Sequence, residues 1–267
     1  MGLRKLWKKL KKGKAQKYGW SGNYQSWSDV LKNANGYDAG VILEITKNAL
    51  LKVKSGEAVY ERDSVLFDKK EYPFPLLSFL LHSALYKRRP LHILDFGGSL
   101  GSTYYQVREF LTPEVCSTWS VVEQEHYVAA GNTHFQDQQL KFYSSIEACM
   151  QDQQIDFVLL SSSVQYLEQP HAFLDKLTAY NFEFILFDRT AFHHGGNDRL
   201  TLQVVPPEIY PASYPSWFFN QEGFLNHFSD QYQLIADFSS YVAGEPILYI
   251  DNQPVAYSKG FYLKLKK

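Results

Sequence analysis

Cysteine is nearly absent from this 267-residue chain: only Cys116 and Cys149 occur, and they sit at no metal-ligand spacing. That excludes a disulfide-stapled scaffold and a cysteine-based zinc site, and it suits a reducing compartment. Long apolar runs are missing as well. None approaches the roughly 18 residues that a membrane span needs, and no stretch resembles a signal peptide. The expected location is therefore cytoplasmic. Net charge is small, with 27 basic against 28 acidic side chains, so no nucleic-acid partner is expected. At this length one large α/β domain with an added segment fits better than two full-sized domains.

The balance of charge hides an asymmetry. Residues 1–17 carry eight basic side chains and no acid, which leaves 19 basic against 28 acidic in the remainder. Leu3, Leu6, Trp7 and Leu10 recur at helical spacing with lysines opposite, the pattern of a short helix lying on an anionic membrane surface. Such a tail would hold the protein peripherally at the inner face of a membrane; a solvated tail has the same composition. A myristoylation signal is not completed, because Leu6 stands where Ser or Thr is required.

A short apolar run from Leu91 ends in an acid, Asp95, and the chain then breaks into a glycine-rich turn containing Gly97, Gly98, Ser99 and Gly101. In a dinucleotide site the pyrophosphate rests on the following helix N-terminus, and an acid just before the turn would repel it. S-adenosylmethionine carries a sulfonium and an ammonium and no phosphate. An acid at the strand end, beside glycines that let the backbone approach, suits that donor. Residues 103–111 read as a helix, with Tyr104, Val107, Phe110 and Leu111 at helical spacing, ended by Thr112 and Pro113. Residues 119–124 read as a second strand. It places Glu123 22 residues beyond Gly101, where a βαβ unit holds the carboxylate that accepts from ribose hydroxyls, with Gln124 beside it.

The alternation continues. Residues 140–143 read as a third strand, followed by Ser144, placed to contact an adenine edge. Residues 156–160 are a fourth, apolar on both faces, ending near Ser162 and Gln165. Residues 184–187 are a fifth, ending in Asp188 and Arg189. Residues 232–238 and 260–265 read as a paired C-terminal hairpin. The chain thus divides into a basic amphipathic tail (1–17), an N-terminal helical cap (18–90, with helices at 39–53 and 73–87) and a donor-binding domain (91–267). The charge cluster at residues 60–68 would let Arg62 or Asp63 reach the donor's methionine end.

These residues resemble a class I S-adenosylmethionine-dependent methyltransferase. More narrowly, residues 60–68, 94–102, 121–124, 161–167 and 188–190 are similar to a little-characterised bacterial family assigned as methyltransferases, whose members often occur among surface-polysaccharide and lipopolysaccharide genes. The resemblance implies an α/β, doubly wound Rossmann-like sheet with a C-terminal antiparallel hairpin. It implies that Asp95, Gly97 and Gly101 form the donor turn, that Glu123 holds the ribose, and that Ser162 and Gln165 border the reaction centre. Ser99 stands where the common pattern D-x-G-x-G-x-G has its middle glycine. The implied activity is methylation of a sugar or glycan precursor. A small metabolite or a protein as acceptor, or a donor fold retained as a binding module, are the alternatives.

Methyl transfer to a hydroxyl benefits from a general base. Asp188, His193 and His194 are the candidates, at or beyond the carboxyl edge of the fifth strand. His193, His194 and Asp198 would make a poor metal site in one loop, so no metal is expected. Residues 203–218, rich in proline and aromatics, are the expected acceptor wall, with Tyr210, Tyr214 and Trp217 offering flat faces with polar tips and Arg189 nearby.

Overall fold

The computed structural model describes residues 18–34 and 39–267; the basic tail expected at a membrane surface lies outside them. Ahead of the glycine turn come β1 (Gly19–Tyr24), α1 (Trp27–Leu31), α2 (Ala39–Ser55), a hairpin of β2 (Tyr60–Arg62) and β3 (Val65–Phe67), and α3 (Phe74–Lys87). Then follow β4 (Leu91–Phe96), α4 (Ser102–Val107), β5 (Cys116–Val122), α5 (Glu125–His134), β6 (Leu140–Tyr143), α6 (Ile146–Asp152), β7 (Phe157–Ser161), α7 (Pro170–Ala179) and β8 (Phe184–His193). The last elements are β9 (Arg199–Val204), β10 (Ser213–Phe218), α8 (Gln221–Asn226), β11 (Tyr232–Ser239), β12 (Leu248–Ile250) and β13 (Gln253–Leu265).

Strand periodicity explains the layers. In β4, Leu91 and Ile93 face one core while Leu94 faces another; in β7, Phe157 and Leu159 oppose Val158 and Leu160; in β8, Phe184 and Leu186 oppose Ile185 and Phe187. Successive side chains point to opposite faces, so strands apolar at every position are buried on both. Helix α3 covers the first face through Leu76, Leu77, Leu80 and Ala84. On the second, Leu174 and Leu177 of α7 pack with Phe224 of α8.

The parallel strands run in the order β6-β5-β4-β7-β8. β13 lies antiparallel to β8, and β11 antiparallel to β13. The doubly wound Rossmann-like sheet with its C-terminal antiparallel hairpin is therefore what forms. Strand order reverses between β4 and β7, and open α/β sheets bind ligands beyond the carboxyl ends of the strands at such a point.

Three segments differ from expectation. The fifth strand does not stop at Phe187: it passes Arg189, at φ 51°, and continues to His193 along the lengthened β13. Residues 18–90 are not helical throughout, since β1 joins the sheet between β12 and β9, and α3 is a layer helix rather than a cap. Residues 199–218 contain the antiparallel pair β9–β10, the far end of the sheet. An edge strand tolerates Pro215, because the missing N–H faces no partner strand.

Candidate active site

At the switch point, the ends of β4, β5, β7 and β8 open into a cleft of about 210 Å³, whose opposite wall is α2 and the β2–β3 hairpin. Asp95 ends β4 on the first face and is only 1% exposed. The indole N–H of Trp119, on β5, donates to its Oδ2 at 3.1 Å. A side chain on Gly98 would meet the same carboxylate at 2.5 Å, so glycine there leaves room for the acid under the turn. Burial pushes the Asp95 carboxyl up to about 7. Gly97, at φ +72°, has the same tightness on its other side, where a Cβ would lie 2.7 Å from Cβ of Ser163.

Glu123 follows β5 and lines the cleft. Its carboxylate accepts from the backbone N–H of Gln124 at 2.9 Å and from that of Ser99, and burial raises its pKa. The acid is thereby tied to the glycine turn.

The hairpin turn has positive φ at both central residues, Asp63 at 51° and Ser64 at 67°, the type I′ geometry that matches strand twist. It carries Glu61 inward. Glu61 is 1% exposed, and it accepts from Ser64 N–H and from Ser102 Oγ, each at 2.6 Å. Burial pushes it up to about 7 despite those bonds. Beside it the Arg62 guanidinium lies over the rings of Phe67 (5.1 Å) and Tyr60 (6.0 Å) and pairs with Glu71 at 3.3 Å.

Asp188 ends the parallel part of β8, in register with Ser161 of β7. Its side chain is 3% exposed; Oδ2 accepts from Ser161 Oγ at 3.1 Å, while the buried Oδ1 has no partner. Burial pushes this carboxyl up to about 6, with the neighbouring Arg189 opposing. Gln165 spends its amide N–H groups on Ser162 Oγ and the Arg189 carbonyl, so its buried Oε1 is also unpartnered, as is Ser163 Oγ. Arg189 grips Glu245 through Nε (3.1 Å) and Nη2 (2.9 Å), and Nη2 reaches Asp63 at 3.2 Å.

Of the residues expected from sequence, Arg62, Asp95, Gly97, Gly98, Ser99, Glu123, Ser162, Asp188, Arg189 and Tyr210 line this one cleft. Gln165 adjoins it through Ser162. Gly101 instead supports the turn against Leu140. Gln124 and Ser144 are exposed at the ends of neighbouring strands and do not line the cleft. Tyr214 stands behind Tyr210, hydroxyl to hydroxyl at 3.4 Å, with its ring edge-on to Tyr166. Trp217 does not face the cleft: its indole N–H donates to the Leu167 carbonyl and its ring packs on the second core. His193 and His194 are also placed elsewhere. The continuation of β8 carries them away, so that His193 bonds within its own loop to Asn197 O and Gly195 N, while His194 packs on Tyr257. Asp198 turns from that loop to His171 and to the Asn220 N–H.

Sequence reading missed Glu61, Thr46, Gln106 and Tyr241, which also line the cleft. The signal for Glu61 was its place in the charge cluster at residues 60–68. Nothing local marked the others, which arrive from separate elements.

No protein-family model matches this chain, and no curated protein matches it. Among solved structures, the chain is similar to an S-adenosylmethionine-dependent methyltransferase from Clostridium acetobutylicum, at 11% identity and TM-score 0.43, covering 72% of this chain and 91% of that one. It is similar to a 1,6-didemethyltoxoflavin-N1-methyltransferase from Burkholderia thailandensis, at 9% identity and TM-score 0.44, covering 87% and 92%. A magnesium protoporphyrin IX methyltransferase from Synechocystis is similar at 11% identity and TM-score 0.44, covering 72% and 77%.

Proposed function

We propose that this protein is an S-adenosylmethionine-dependent methyltransferase acting on a small polar acceptor. The supporting observation is the cleft itself: Asp95, Glu123 and a tight glycine turn line it together, and so does Asp188, whose buried Oδ1 has no partner. A buried acceptor atom without a hydrogen bond is costly unless a ligand supplies the donor. The residues fit the donor's chemistry. Gly97, Gly98 and Ser99 form the turn against which it would lie, Glu123 would accept from its ribose hydroxyls, and Arg62 would pair with its carboxylate. When bound, the donor supplies an electrophilic methyl on a sulfonium. The chain's task would then be to orient the acceptor in line and to take up its proton, a role this reading gives to Asp188. A small acceptor is favoured over a lipid-linked glycan, because the cleft holds only about 210 Å³ between the β-strand ends and the wall of Tyr60, Tyr210 and Tyr241.

Calorimetric titration with S-adenosylmethionine and with NAD tests the reading. Saturable binding of the methyl donor alone, weakened about tenfold in Asp95→Asn by loss of a nearby negative charge, is the expected result. Absence of donor binding overturns it.

A further inference from the structure

The cleft is lined by five carboxyl side chains, Glu61, Asp63, Asp95, Glu123 and Asp188, against two arginines, Arg62 and Arg189. Both arginines are already engaged by the protein's own acids. Arg62 pairs with Glu71. Arg189, whose side chain is 12% exposed, holds Glu245 through two nitrogens and Asp63 through a third contact. Among the described residues that line the cleft, an anionic acceptor would meet only Arg189, held by Glu245 and Asp63, and Arg62, paired with Glu71 and assigned above to the donor's carboxylate, within a largely acidic wall. Opposite conditions meet a cation. Asp188 Oδ1 is a buried acceptor atom without a donor, and Tyr60, Tyr210 and Tyr241 contribute to the wall; aromatic faces attract cations.

Resting on the methyl-transfer reading above, we infer that the acceptor is a small cationic amine, held by N–H donation to Asp188 Oδ1, and that the Glu245–Arg189–Asp63 cluster excludes anionic acceptors. Asp188 takes one proton from the ammonium, which frees the nitrogen lone pair. That pair forms the new N–C bond to the methyl carbon as the C–S bond breaks. The C–S electron pair stays on sulfur, which leaves as a neutral thioether. The product departs as the methylated ammonium, and Asp188 returns its proton to solvent. The burial that lifts the Asp188 carboxyl toward neutrality favours this uptake. Glu245 is a positioning residue: it acts only by holding and neutralising Arg189.

The test uses the full-length protein loaded with S-adenosylhomocysteine and three ring-matched probes: 2-phenylethylamine, 2-phenylethanol and 3-phenylpropionate. Calorimetry should show saturable binding of the amine, at least about tenfold tighter than either other probe, a ratio worth one charge-assisted contact. The heat should vary with buffer ionisation enthalpy, reporting protons released as the cation displaces them from the buried carboxyls. Asp188→Asn should weaken the amine about tenfold while leaving donor affinity within about twofold. Glu245→Gln, which unmasks Arg189, should let the phenylpropionate bind. With ¹³C-methyl donor, the transferred methyl should appear as an N-methyl resonance. Equal or tighter binding of the anion or the alcohol, binding of none of the three by donor-competent protein, or an O-methyl product each overturns the inference. So does loss of donor affinity in Asp188→Asn, which would assign that carboxylate to the donor. Failure of the unmodified protein to bind the donor is a different outcome, and it removes the methyl-transfer reading itself.

Discussion

Two single-atom-scale changes in the glycine turn should act in opposite directions. Ser99 sits at φ 55°, and the left-handed region costs an L-residue about 1–2 kcal/mol. Glycine removes that strain but widens the unfolded ensemble, a cost of about 0.4–1 kcal/mol. Ser99→Gly should therefore stabilise the protein by about 0–1.6 kcal/mol, the difference of those two terms. The bond from Ser99 to Glu123 uses the backbone N–H and survives the change. At Gly97 both terms reverse. Alanine at φ +72° takes on the strain, and its Cβ would lie 2.7 Å from that of Ser163, an overlap costing about 1–3 kcal/mol more. After the unfolded-state gain, Gly97→Ala should lose about 2–4 kcal/mol. Urea titration of the ligand-free proteins measures both differences at unchanged slope. Donor calorimetry supplies the functional half: Ser99→Gly should bind like the parent, whereas Gly97→Ala, which must shift the turn off Ser163, should bind at least about tenfold more weakly. A less stable Ser99→Gly, or a neutral Gly97→Ala, refutes the account of the turn.

The ligand-free protein should lose stability as pH rises. Burial holds Glu61 and Asp95 at about 7 and Asp188 at about 6, all above their unfolded values, so the native state binds more protons from about pH 4 to about pH 7. Urea midpoints that rise or stay level across that window would contradict those environments. Glu245→Ala should destabilise by about 1–3 kcal/mol, because it leaves the largely enclosed Arg189 with only the exposed Asp63; a change below about 0.5 kcal/mol would show that the pair does not hold the fold together. Trp119→Phe should cost about 2–3 kcal/mol by taking the indole donor from Asp95 and opening space in the first core. It should also raise the Asp95 carboxyl further, read by the carboxyl carbon shift against pH.

Legibility followed the range over which each feature is specified. β6 coincides with the strand read from sequence, β4 runs one residue past its expected end at Asp95, and α2 and α3 agree to within two residues. Their apolar spacing is local, and an amphipathic period states which atoms must leave water. β1, β9 and β10 were not read as strands. Each is half-polar, without the continuous apolar run of β4 or β7, and β1 is ordered by partners far along the chain, Trp20 pairing with Gln203 and Ile250. The functional side chains divide the same way. Asp95, Glu123 and Asp188 are announced by strand ends, whereas Glu61, Gln106 and Tyr241 reach the cleft from elements that have no signal in common.

The amino-acid sequence by itself determined the doubly wound core, because runs buried on both faces and a glycine turn after an acid leave a parallel sheet few other arrangements. It also determined which strand ends carry Asp95, Glu123 and Asp188, three acids that line the cleft. Tertiary structure alone decided which charges remain for a ligand. A sequence counts Arg62 and Arg189 as cations and His193 and His194 as candidate bases. Only the packed chain pairs those arginines with Glu71, Glu245 and Asp63, carries the histidines past the cleft on a lengthened β8, and leaves Asp188 Oδ1 buried without a donor. Charge is a property of residues, but an uncompensated charge in a closed space is a property of their arrangement.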